Sequence, residues 1–103
     1  MIPTHDQARQ FGKTYVAAMN TGAEPFAALF APGAVVRVGG EPTDPDGVRA
    51  ATPAGRSGFR GTRLDPPEVV LTVRVIDRAA GSVDDRPHRL TLDDEGRIAS
   101  LEA

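Results

Sequence analysis

The sequence predicts an α+β fold in which N-terminal helices pack on one face of an antiparallel sheet. Two patterns carry that prediction. Helix caps and apolar residues at helical spacing are confined to the first third of the chain, and from Ala34 onward β-branched runs alternate with Gly, Pro and Asp. Size agrees: 103 residues, 40% hydrophobic and 25% charged, suit a single domain over 1–103 with one core.

Thr4-His5-Asp6-Gln7 reads as a capping box, in which the Thr hydroxyl and the Gln side chain satisfy each other's free backbone donors. Ala8, Phe11, Tyr15, Ala18 and Met19 then recur on one helical face. Asn20-Thr21-Gly22 ends the helix, with Gly22 expected in the left-handed region. Pro25 suits the first turn of a second short helix, whose buried face is Phe26, Leu29 and Phe30 and whose stop is Pro32-Gly33. Ala34–Val38 is a short strand, and Gly39–Asp46, rich in Gly, Pro and Asp, a loop. In 47–62, Val48–Ala51 has room for a turn or two of helix, while Pro53, Gly55, Gly58 and Gly61 prevent a long one. Pro66-Pro67 opens the strongest β segment, Val69–Ile76. Asp77–Gly81 and Asp84-Asp85 break it. Arg89–Leu92 and Arg97–Leu101 are the final strands, joined through Asp93-Asp94-Glu95-Gly96 with Gly96 at the position needing positive φ.

Composition excludes several function classes. The net charge is −2 with both signs interspersed, which lacks the clustered positive field of a nucleic-acid binder. With no Cys, disulfides, thiolate catalysis and sulfur-ligated metals are excluded. The only histidines, His5 and His88, have no metal-ligand spacing, so no metal is expected. No glycine-rich phosphate loop or nucleophile elbow is present. No apolar run suits a membrane span, and the N-terminus lacks signal-peptide blocks, so a cytoplasmic location is expected.

The stretches YVAAMNTGAEPFAALFAPGAVVRV and HRLTLDDEGRIASLEA resemble the nuclear transport factor 2-like superfamily, which includes ketosteroid isomerases and SnoaL-like polyketide cyclases. The resemblance covers about Phe11–Val38 and Glu68–Ala103. It implies a cone-like curved antiparallel sheet packed against N-terminal helices, a cavity for a small apolar molecule, no cofactor, and a homodimer as one form of assembly. The isomerase oxyanion tyrosine is similar in position to Tyr15. The position of the isomerase base falls on Val38, where no carboxylate stands, and that of the second oxyanion donor falls on His88. The family's long hairpin is shortened here to roughly Gly81–Arg86, and the helix after the first strand is interrupted by Pro53.

Tyr15 is the only tyrosine in the chain. A phenol there fills a core or, beside a cavity, hydrogen-bonds a ligand carbonyl and stabilises a developing enolate. Strand parity puts His88 on the face of Leu90 and Leu92, where an imidazole is a hydrogen-bonded core residue or a proton shuttle. Glu41, Asp44 and Asp46 are turn formers, of which Asp44 is the candidate replacement base. Arg37 alternates with Val36 and Val38 and so points outward. Arg49, Arg56, Arg60 and Arg63 form a solvated face with the capacity to attract an acidic substrate. Phe11, Met19, Phe30, Val38 and Leu90 would line the cavity.

Two functions follow. One is a cofactor-free acid/base enzyme of the isomerase or cyclase type, with Tyr15, His88 and Asp44 acting on an apolar carbonyl compound. The alternative is a non-catalytic binding or dimerisation module of the same fold, favoured if Phe11, Phe30, Leu90 and Leu92 pack the interior shut.

Overall fold

The computed structural model describes residues 3–51 and 57–103, at position 57 the backbone alone. Pro53, Gly55 and Arg56, invoked above, lie outside the described residues. The order of elements is α1 (His5–Thr21), α2 (Ala23–Ala27), β1 (Phe30–Val38), β2 (Glu41–Thr43), α3 (Pro45–Ala51), β3 (Ser57–Asp65), β4 (Glu68–Asp77), β5 (Ser82–Leu92) and β6 (Ile98–Glu102). The strands form one open six-stranded sheet in the order β2-β1-β6-β5-β4-β3. The chain is α+β with its helices on one side of a curved sheet, as expected. The sheet is mixed rather than antiparallel, because β1 pairs in parallel with β6. The last strand enters between β1 and β5, and returning beside β1 from β5 fixes its direction.

Curvature has a local source. The register slips between Phe59 and Gly61, between Thr91 and Leu92, and between Phe30 and Val35. An extra residue on one strand bends it and raises its twist. The bent sheet wraps α1, whose buried residues Ala8, Gly12, Tyr15, Val16 and Met19 recur at intervals of three and four. Alternate residues of β4 (Val69, Leu71, Val73, Val75) meet them together with Leu90, Leu92, Ile98 and Leu101 in one apolar cluster.

The caps form as read. Thr4 Oγ1 accepts from Gln7 N at 3.2 Å, and Thr4 N donates to Gln7 Oε1 at 2.9 Å. In the last hairpin Gly96 has φ 77°, and Asp93 Oδ1 accepts from the amides of Glu95 and Arg97.

Other expectations are corrected. Gly22 is extended (φ 166°), not left-handed, and sits between α1 and α2. Phe30 leaves α2 to open β1, where it pairs with Ile98 and remains buried. Gly39–Asp46 is not a plain loop. Gly39 and Gly40 both have positive φ and make a two-residue turn into β2, the geometry that matches strand twist. Pro66-Pro67 forms the β3–β4 turn rather than opening a strand. Gly81–Arg86 is not a remnant hairpin: from Ser82 it is β5, paired residue for residue with β4 as far as Asp77↔Ser82. Pro87 is tolerated inside β5 because β6 pairs only from Arg89 onward, so one side of β5 is open there. Within 47–62 the helical turns expected at Val48–Ala51 form as part of α3, while Ser57 to Thr62 belongs to β3, an edge strand carrying Gly58 and Gly61.

Candidate functional site

Tyr15 and His88 meet in the interior. Tyr15 lies on the buried face of α1, one turn from Phe11 and Met19. His88 lies on β5 opposite Leu71, sharing its face with Leu90. Seventy-three residues apart in sequence, they approach with Tyr15 Oη 2.7 Å from His88 Nδ1, a buried hydrogen bond. The rings meet edge to face, with centroids 5.7 Å apart and an interplanar angle of 82°. Phe26 braces the phenol from the other side at 5.2 Å, and Phe11 lies 6.4 Å away. The sheet supplies the height of His88 and the helix that of Tyr15, so neither element alone determines the contact.

Burial sets the electrostatics. Tyr15 has no exposed surface, and loss of water pushes its phenol well above the usual range. Burial also lowers the His88 pKa from 6.5 to about 4, with the nearby charge of Arg86 a second cause. Both groups are therefore neutral at pH 7. Nδ1 is committed to Tyr15, so imidazole chemistry toward any further group runs through Nε2. When the phenol donates to Nδ1, Nε2 carries the proton and is a neutral donor; in the other tautomer Nδ1–H donates to Tyr15 and Nε2 is an acceptor. His88 keeps 3% exposure and Tyr15 none.

The remaining predicted residues are dispersed. Asp44 is exposed, and its Oδ1 accepts from Gly47 N at 2.8 Å, which makes it the cap of α3. Glu41 and Asp46 are exposed on β2 and in the first turn of α3. Met19, Phe30 and Leu90 are buried in the apolar cluster, with Phe11 and Val38 packed against it. Arg37 is exposed, as strand alternation required. Arg49 Nε donates to Met19 O at 3.2 Å and ties α3 to the end of α1.

Arg86 escaped the sequence reading. It shares the parity of His88 along β5, donates through Nη1 to Ala51 O at 3.2 Å, and pairs with Asp84 at 3.7 Å. Extending the strand back through Pro87 would have exposed it; the Asp84-Asp85 pair disguised that continuation. Among the described residues no group of His, Asp and Glu could hold a metal ion. No described helix is long and apolar enough to cross a membrane.

No protein-family profile matches the chain, and no curated protein sequence does. Solved structures do. A SnoaL-like protein of unknown function from Burkholderia thailandensis superposes with a TM-score of 0.76 at 12% identity, over 99% of this chain and 96% of its own. A de novo designed protein of the nuclear transport factor 2 fold gives 0.73 at 15% identity, over 100% of this chain and 87% of that one. A provisionally named polyketide cyclase from Sinorhizobium meliloti gives 0.66 at 23% identity, over 86% and 88%. The chain thus has the nuclear transport factor 2-like fold, in agreement with the resemblance carried by its two ends.

Proposed function

We propose that this protein is a cofactor-independent acid/base enzyme of the isomerase or cyclase type, acting on a small apolar, carbonyl-bearing molecule. The buried Tyr15–His88 hydrogen bond carries this reading. An apolar core gains nothing from a phenol and an imidazole that a Phe and a Leu would not supply more cheaply. The pair also has the composition of a carbonyl-polarising site. A neutral imidazole whose Nδ1 accepts from a phenol presents Nε2–H as an oriented donor, suited to an oxygen that gains charge as an enolate forms. Tyr15 is then a positioning residue that sets the tautomer, and His88 the group that touches the ligand. With a pKa of about 4 the imidazole is a poor base at pH 7, which favours the donor role. Asp44 has no part in this reading, since its carboxylate is engaged as a helix cap, so the α proton passes to solvent base while Nε2–H stabilises the enolate oxygen, and solvent returns a deuteron to the same carbon. Fold neighbours that include a provisionally named polyketide cyclase agree with the class.

The test is deuterium exchange α to the carbonyl in a panel of apolar cyclic ketones and enones, followed by NMR. The wild-type chain is expected to accelerate exchange for at least one compound. His88→Gln should lose about 100-fold or more of that rate, and Tyr15→Phe about 10- to 100-fold. Unchanged rates in both variants overturn the proposal.

The complete burial of Tyr15, within a cluster that also holds Phe30, Leu90 and Leu92, favours a second reading: a binding or dimerisation module without chemistry. Retention of an apolar compound in native mass spectrometry without exchange, or a dimer by light scattering that binds nothing, would select it.

A further inference from the structure

A groove of about 350 Å³ lies between α1 and the edge strand β3 and shares no residue with the Tyr15–His88 pair. One wall is the helix stripe of His5, Arg9 and Lys13, spaced by four so that they stack on one face. The other is β3, through Phe59, Arg60 and Thr62. Among the described residues no acidic side chain lines it. Among the described residues Arg9 and Lys13 form no ion pair. The negative groups near it include Asp6, in the first turn of α1, and Asp85, whose carboxyl is held low mainly by Arg74 and in smaller part by Arg60. Like charges one turn apart repel, so the stripe is unfavourable until an anion meets it.

The rest of the groove is built rather than incidental. Gly12 has no Cβ, and the Phe59 ring occupies the space where one would stand, so the ring rests directly on the α1 backbone. That close approach holds an aromatic surface beside the basic stripe. In the same wall the Thr62 hydroxyl is buried with no hydrogen-bond partner among the described residues. Such a group is rare in a native fold.

We propose that this groove binds a small organic anion, its charged head met by Arg9 and Lys13 and its flat apolar body by Phe59. The volume lies at the small end of ligand sites, roughly 300–1,000 Å³, and fits a bicyclic acid. The proposal is independent of the acid/base reading and stands if that reading fails.

Amide chemical-shift titration of the full chain with 2-naphthoate tests it. A dissociation constant below about 1 mM is expected, with shifts concentrated at residues 5–13 and 59–62. The exposed charge reversal Arg9→Glu with Lys13→Glu should weaken binding about 10-fold or more, while Arg97→Glu, at the remote β5–β6 turn, should change it less than about twofold. His88→Gln should leave it unchanged. Absence of saturable shifts overturns the proposal. So does equal affinity for neutral 2-naphthalenemethanol or for inorganic phosphate, or equal loss in Arg97→Glu. Tighter binding of an oligo-aspartate peptide, with shifts running along the whole of β3, would overturn it in favour of an acidic chain laid on the sheet edge.

Discussion

Helix α1 carries two faces that handle polarity in opposite ways. On the inner face a phenol is withdrawn from water and has an imidazole at 2.7 Å as its partner. On the outer face His5, Arg9 and Lys13 stay in solvent. Inside, burial governs protonation, because it penalises the charged form of both the phenol and the imidazole. Outside, water and salt screen the charges, and each is nearly neutral for stability. One helix therefore separates groups whose loss endangers the fold from groups whose loss should affect only what binds to it.

Substitutions can break that contrast in descending order of effect. Phe26 is fully buried and packs edge-on against Tyr15. Phe26→Ala should cost about 3 to 5 kcal/mol in urea unfolding, through lost burial and a cavity beside the phenol. The next effect is pH. The unfolded imidazole titrates near 6.5, the folded His88 at about 4. Above pH 6.5 both are neutral and the stability is full. As pH falls from 6.5 to 4 the unfolded chain takes up a proton that the folded chain refuses, so about 3 kcal/mol is lost across that window. His88→Gln should flatten this part of the stability profile while keeping an acceptor for Tyr15. Third, Gly12→Ala gains helix propensity of about 1 kcal/mol but drives a methyl into the Phe59 ring. A net loss of about 1 to 2 kcal/mol is expected, and a stabilised variant would show that the ring moves aside freely. Smallest, Arg9→Glu with Lys13→Glu should shift thermal unfolding by no more than about 0.5 kcal/mol.

The interior face was legible because burial imposes periodicity. The α1 spacing and the alternation of His88 with Leu90 each placed one ring inward, and the fold forced them together. Asp44 illustrates the opposite case. An Asp in a Gly- and Pro-rich stretch suits a base, a turn or a cap equally well, and the helix after it selected the cap. Gly12 left no trace in an apolar pattern because it has no side chain to count, yet it sets how closely α1 approaches β3. Arg86 was hidden by Pro87 and two aspartates, residues that disfavour a strand unless a neighbouring strand already offers a ladder.

The two helices, the strong β4 segment, the last hairpin and the inward rings of Tyr15 and His88 were determined by the sequence alone, since caps, turn glycines and side-chain periodicity act over a few residues. Tertiary structure decided the parallel β1–β6 pairing, the lengths of β3 and β5, the close seating of Phe59 on Gly12 and the 2.7 Å contact itself. These depend on which distant segments become neighbours. A strand of weak propensity forms when its partner supplies the hydrogen bonds, and a buried donor finds its acceptor only once the sheet has curled around the helix.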